Sequence, residues 1–250
     1  MPTTPFEFSS VTRIHGVICV LIKEQTREPM AVLWTIIYPC VLYVMLQRTK
    51  TDSALAATDY LATSAWFYTY LAATNAFFGL SLYLIGRRES GFVRSFIYRP
   101  EAIKIFLIAH VMTHIGVALV YASIFYGVTR SMLGMLSVAE YVQVIIGYLL
   151  SYWVFASVGL LIALLPIKYS SANTLFSIIS FFMLTSTFVG ALYGDSGLVG
   201  LMSYSPLALC AVFFDGVTNV WTALGIAALF IGSVLIVGRF FRVHPVWGRY

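Results

Sequence analysis

Charged side chains are scarce in this sequence. Asp, Glu, Lys and Arg make up 10% of the 250 residues and hydrophobic residues make up 60%, whereas an ordinary soluble domain has roughly 25% charged residues. This composition excludes a water-soluble globular protein. The long apolar runs show no period-2 alternation, which excludes a membrane β-barrel and leaves helices as the spanning elements. The sequence therefore predicts an all-α integral membrane protein.

Several other features are missing. The three cysteines are scattered, so they indicate neither a disulfide framework nor a metal site. No basic segment precedes an apolar core and a cleavage site near residue 1, so we expect no cleaved signal peptide. No G-x-x-x-x-G-K-[ST] phosphate loop occurs, so we expect this chain to bind no ATP by that route and to hold no cofactor of its own.

Six apolar stretches approach or exceed the length of about 20 residues that crosses a bilayer. We predict one transmembrane domain over residues 1–250. An amphipathic helix at 8–28, with apolar residues at helical spacing, is predicted to lie in the membrane interface. The predicted spans are 29–47, 58–86, 104–128, 139–166, 173–194 and 217–239.

Positive charge is sorted between alternate loops, which argues against a nucleic-acid partner for the net charge of +5. By the positive-inside rule the richer side is cytoplasmic, so both termini are predicted to be cytoplasmic. That side holds Arg13, Lys23, Arg27, Arg87, Arg88, Arg94, Arg99, Lys104, Lys168, Arg239, Arg242 and Arg249, and the other side holds Arg48, Lys50 and Arg130.

A further uncharged stretch, 196–214, is long enough to be mistaken for a seventh span. A seventh crossing would move the basic C-terminal residues outside. The stretch also contains Gly197, Gly200 and Pro206, which favour a broken segment. We therefore predict a re-entrant outer hairpin before the sixth span.

The segment GRRESGFVRSFIYRP, residues 86–100, is the densest charge cluster between apolar runs. Its Glu89, Gly91 and Pro100 have the Glu-x-Gly spacing, with proline nine residues after the glycine, that occurs in membrane subunits of type-2 ABC exporters. Ser205-Pro206-Leu207 matches two of three positions of that family's outer Asn-Pro-Leu motif. Together with the topology, these motifs make the chain resemble the ABC-2 permease family over nearly its whole length.

The resemblance implies an exporter subunit of the bacterial inner membrane that is no enzyme by itself. ATP and magnesium would bind a separate ATPase, two copies of which would work with a homodimer of this chain in contact with membrane lipid. Residues 86–100 would form a cytoplasmic coupling helix between the second and third spans. The implied contacts to the ATPase are Arg87, Arg88, Glu89, Gly91, Phe92, Arg94, Phe96, Tyr98 and Pro100.

The cargo class stays open among drugs, peptides, lipids and polysaccharides. Tyr38, Tyr43, Tyr70 and Asn75 are predicted to line the path of an amphipathic substrate, with an aromatic belt and ordinary packing as an equal alternative. His110 and His114, four residues apart on one helix face, carry the competing functions: an intramembrane enzyme or a haem- or ion-handling protein. Gly190 and Gly194 suit close helix packing in a dimer.

Overall fold

The computed structural model describes residues 5–27, 33–49, 60–91, 100–192, 205–216 and 218–241. Almost all of these residues are helical, and the described part of the chain contains no strand. The prediction of an all-α protein is therefore confirmed.

Eight helical elements follow one another along the described ranges. Two of them contain π-helical turns and one continues into a 3₁₀ turn. They are α1 (Pro5–Gln25), α2 (Leu33–Ile37, π-helical, then Tyr38–Thr49), α3 (Tyr60–Thr74, then Asn75–Leu82, π-helical, then Tyr83–Glu89), α4 (Pro100–Leu133), α5 (Val138–Ala163), α6 (Tyr169–Leu192), α7 (Pro206–Ala211, then Val212–Phe214, 3₁₀) and α8 (Val220–Phe240).

Four of the described helices, α3, α4, α5 and α8, are long and apolar enough to cross a membrane. They correspond to the second, third, fourth and sixth predicted spans, which supports a membrane protein. The apolar part of α2 is shorter, at Thr35–Gln47, and α6 has 24 residues. The crossing of α2 and α6, and with it the count of six spans, stays a prediction.

Helix α5 lies at the centre of the bundle, in contact with α3, α4 and α8. It runs in the same direction as α3, because Phe77 contacts Phe155 with ring centroids 5.8 Å apart and Arg88 reaches Ala163 further along both helices. Helix α4 runs the opposite way, since His110 near its start meets Leu80 of α3 and Thr129 near its end meets Tyr60 at the start of α3. The end of α3 therefore lies beside the beginning of α4 and the end of α5, and we call this the basic end of the bundle.

Buried polar contacts hold the opposite end together. The Tyr60 hydroxyl lies 2.7 Å from the hydroxyls of both Tyr68 and Thr129. Arg130, at the end of α4, forms a 2.9 Å ion pair with Glu140 at the start of α5. This ion pair joins the end of α4 to the start of α5.

The described half of the predicted outer hairpin packs at that same end. Ser205 caps α7 by accepting a hydrogen bond from the Ala208 N–H at 3.2 Å, and Pro206 occupies the first turn, where a missing N–H costs little. Gln143 of α5 donates to the Phe214 carbonyl at 2.7 Å. The first half, 196–204, lies outside the described residues.

Two π-helical turns interrupt the apolar helices. The first, Leu33–Ile37, ends two residues before Pro39, which has no N–H to donate to a helix. The second, Asn75–Leu82, lies within α3. Such turns widen the helix locally and often accompany functional sites, and the second one borders the cavity described below.

Candidate functional site

Helix α3 ends where the sequence predicted the coupling segment to begin. The Ser90 N–H bonds the Gly86 carbonyl at 2.9 Å and the Gly91 N–H bonds the Arg88 carbonyl at 3.3 Å. Gly91 has φ = 69°, in the left-handed region, a common way for a helix to end and one that glycine adopts without steric cost. Pro100 then begins α4.

The remaining predicted coupling residues, Phe92, Arg94, Phe96 and Tyr98, lie outside the described residues.

Arg88 is buried, with 1% of its surface exposed. Its Nη1 donates to the carbonyls of Ala163 at 2.9 Å and Leu165 at 3.0 Å, and its Nη2 donates to the carbonyl of Ile167 at 2.7 Å. The last carbonyls of a helix have no partner within the helix and carry its negative dipole end, so a guanidinium fits this position. Arg88 therefore ties the end of α3 to the end of α5.

The structure shows Arg88 buried within the chain, while its predicted contact with an ATPase stays a prediction. The sequence grouped it with Arg87 and Arg94 as a side chain that meets acidic residues of an ATPase. Its guanidinium lies inside this chain, bonded to backbone carbonyls more than seventy residues away in sequence. The carboxylate of the neighbouring Glu89 lies 3.5 Å from the Arg88 Nε, so Glu89 also forms an ion pair within the chain.

Arg87 joins α3 to α1. It forms an ion pair with Glu24 near the end of α1, and its guanidinium carbon lies 4.7 Å above the Tyr83 ring. The Tyr83 hydroxyl donates to the Glu24 carboxylate and accepts from Arg87. Sequence reasoning missed Glu24 and Tyr83, although the spacing of Tyr83 and Arg87, four residues apart on one helix, could have indicated the contact within α3.

The two predicted histidines lie in the core between α4 and α3. His110 Nε2 lies 2.9 Å from the Leu80 carbonyl, and since a carbonyl only accepts, that nitrogen carries the proton. The His110 ring stacks on Tyr83 with centroids 5.3 Å apart, and His114 lies 4.4 Å from His110 by the same measure. Over the described ranges, no three or more His, Cys, Asp or Glu side chains group as metal ligands.

A cavity of about 520 Å³ brings together three of the four predicted path residues. Tyr38, Tyr70 and Asn75 all line it. The Asn75 side chain is held in place because its Nδ2 donates to the Tyr148 hydroxyl at 2.8 Å. The π-helical turn of α3 supplies Asn75 together with Phe78 and Gly79.

Tyr43, the fourth predicted path residue, does not line this cavity. It is 1% exposed and packs edge-on against Tyr60, Phe67 and Phe125, with ring centroids 6.1, 5.0 and 5.8 Å away. Its hydroxyl lies 3.3 Å from that of Thr63. The structure therefore assigns Tyr43 to packing between α2, α3 and α4.

Comparison with known proteins gives one relative along most of the chain. The sequence is similar to Protein McbE of Escherichia coli, with 23% identity over 237 residues that cover 91% of this chain and 95% of McbE. No protein-family model matches the chain, and no solved structure matches it.

Proposed function

We propose that this chain is the membrane subunit of an ATP-driven exporter and works with a separate ATPase. The observation that carries the proposal is the end of α3. There, Glu89 and Gly91 stand at the spacing of the coupling motif, and Gly91 takes the left-handed conformation that turns the chain out of a long apolar helix. Pro100 starts the next apolar helix. Residues 86–100 thus connect two candidate spans at the basic end of the bundle.

Arg88 supports a transmitting role for this segment. Because its guanidinium bonds the carbonyls that end α5, a force applied to residues 90–99 would act on α3 and α5 together. Arg87 links the same helix end to α1 through Glu24. We propose that the ATPase contacts Arg87 and Glu89, which lie nearer the surface than Arg88. It would also contact the predicted coupling residues beyond Gly91.

We further propose a six-span subunit that pairs with a second copy. Apolar side chains cover the outside of α6, where Phe181 and Phe182 are 65% and 67% exposed, and only 17% of the most apolar stretch of α8 is buried. Such surfaces suit lipid and a second copy of the chain. Since ABC ATPases act as pairs and each subunit supplies one coupling segment, a homodimer with two ATPase subunits follows.

The test is co-purification of an ATPase from the native host with the tagged chain, with export and ATP hydrolysis measured in the same membranes. Gly91→Ala forces a Cβ into the left-handed region at a position with no neighbour within 4 Å, so it strains the backbone alone. We expect Gly91→Ala to lower ATPase association or to separate hydrolysis from export.

Gly127→Ala is the matched control, because Gly127 also has open space around its Cβ position and lies inside α4 with negative φ. The exporter proposal fails if no ATPase accompanies the wild-type chain. It loses its main support if Gly91→Ala and Glu89→Ala both leave association and coupling unchanged.

A further inference from the structure

The cavity beside the π-helical turn of α3 has a distinctive wall. Four phenol rings line it, those of Tyr38, Tyr70, Tyr83 and Tyr121, and they come from three different helices. Tyrosine offers a large apolar face with one polar tip. Such a wall suits a ligand that is apolar over most of its surface and makes a few hydrogen bonds.

Neutral hydrogen-bonding groups complete the wall. They are the amides of Gln25 and Asn75 and the hydroxyls of Thr35 and Thr74. Some of this capacity is already used within the chain, since Thr74 donates to the carbonyls of Tyr70 and Leu71 at 3.1 and 3.0 Å. Among the described lining residues there is no Asp, Glu, Lys, Arg or His.

The two charged side chains that bond the lining residue Tyr83 compensate each other within the chain. Tyr83 forms part of the cavity wall, and its hydroxyl bonds both Glu24 and Arg87, which also pair with each other. A charged ligand in the cavity would therefore meet no free countercharge among the described residues. Taking a charge out of water without a partner is costly.

The size of the cavity fits a small molecule. Its volume of about 520 Å³ lies inside the range of roughly 300–1,000 Å³ of pockets that hold drug-sized ligands. Gly79 leaves the wall without a side chain at one point of the π-helical turn.

We propose that this cavity is a binding site for an uncharged, aromatic or amide-bearing amphipathic molecule and that it discriminates against charged analogues of the same size. Interpreting that molecule as exported cargo rests on the proposed function. The binding itself does not. The selectivity follows from four phenol rings and neutral donors and acceptors around a space with no free charge on its described wall.

Three photoreactive probes of almost equal size test the charge selectivity. They are N-acetyl-4-benzoylphenylalanine amide, which is neutral, N-acetyl-4-benzoylphenylalanine, an anion, and 4-benzoylphenylalanine amide, which is a cation at an assay pH of about 6, below the α-amino pKa of roughly 8. The full chain in lipid nanodiscs, without any ATPase, is irradiated with each probe over a range of concentrations, and labelled peptides are identified by mass spectrometry. With the neutral probe we expect saturable labelling near residues 35–39 and 70–83. Its half-saturating concentration should be at least about tenfold lower than that of either ion, and this factor corresponds to about 1.4 kcal/mol.

Two substitutions on one helix separate the cavity from the lipid surface. Leu184→Trp places a larger side chain in the cavity wall and should abolish saturable labelling by the neutral probe. Ile178→Trp, also on α6 but 49% exposed on its outside, should leave labelling unchanged. Tyr38→Ala removes a ring that is 44% exposed, so it tests the site without disturbing the core. We expect the half-saturating concentration of the neutral probe to rise at least about fivefold, in line with the loss of one aromatic contact.

Equal labelling by all three probes would overturn the proposal and identify the cavity as a space filled by lipid. So would unchanged labelling of Tyr38→Ala together with a folded Leu184→Trp. Because no ATPase is present, selective labelling without an associated ATPase would keep the binding site and reject the exporter. An associated ATPase without selective labelling would keep the exporter and reject the site.

Discussion

The Arg88 guanidinium donates a 2.7 Å hydrogen bond to the backbone carbonyl of Ile167, just beyond the end of α5. Together with its bonds to Ala163 and Leu165, this contact makes one buried side chain a link between α3 and the end of α5. The same side chain lies three residues before Gly91, where α3 turns into the predicted coupling segment.

Replacing Arg88 should therefore destabilise the bundle. Arg88→Gln leaves carbonyls at the end of α5 without donors, and we expect the free energy of unfolding to fall by about 1–3 kcal/mol, the cost of leaving buried acceptors unbonded. Arg88→Lys keeps the charge but loses the planar fork, so its loss should be smaller. The measurement is thermal unfolding of the purified chain in one detergent.

Arg87→Gln is the control for this effect. Its side chain is 18% exposed and pairs with a Glu24 side chain that is 38% exposed, and such a pair contributes only about 0–1 kcal/mol. Equal unfolding temperatures for Arg88→Gln and Arg87→Gln would show that the carbonyl contacts contribute little to the fold.

Gly159 of α5 lies close against Ser81 of α3. A Cβ at this position would lie 2.3 Å from the Ser81 Oγ and 3.1 Å from the Ser81 Cβ. Gly159→Ala should therefore destabilise the chain by about 1–3 kcal/mol, the usual cost of overpacking a core. Ser81→Gly in the same chain removes both clashing atoms and should recover part of that loss, a coupling that a double-mutant cycle in thermal unfolding detects.

Gly232→Ala on α8, where nothing lies within 4 Å of the added Cβ, should not lower stability. Additive effects of Gly159→Ala and Ser81→Gly would contradict the close contact.

The ion pair between Glu24 and Arg87 should hold the end of α1 against α3. Glu24→Arg places like charges together, so we expect faster hydrogen exchange of the amides of α1. Adding Arg87→Glu restores a pair of opposite sign and should bring exchange back toward the wild-type rate. Since such a pair is worth roughly 0.2–1 kcal/mol and is screened by salt, the difference should shrink as salt is raised. If neither substitution changes the exchange rate of the α1 amides, packing alone holds α1 against α3.

The natural cysteines report the orientation of the chain. Cys19 on α1 is exposed, whereas Cys40 and Cys210 are buried, so a membrane-impermeant maleimide should modify Cys19 alone. If the basic end faces the cytoplasm, intact cells should stay unlabelled and inverted membrane vesicles should be labelled. Cys19→Ser should remove the signal. Labelling of Cys19 in intact cells would reverse the predicted topology.

The sequence by itself determined the class of protein, the helical fold and the position of most helices. Long apolar runs predict helices because every backbone group in lipid must be bonded within its own segment. It also contains Gly91 close to the end of α3, and glycine adopts the left-handed conformation at a helix end without a steric cost. The apolar helices depend only on the lipid around them, and the helix end at Gly91 depends only on its local sequence.

Only the tertiary structure decided what the individual polar side chains do. Arg88 reads as a surface charge in the sequence, yet it lies buried because α5 ends beside α3. Tyr43 and Tyr38 look alike as aromatic residues of α2, but one packs in the core and the other lines the cavity. Partners such as Glu24 with Tyr83, 59 residues apart, meet through the packing of whole helices. No local pattern encodes that packing, because it depends on how all the apolar surfaces fit together.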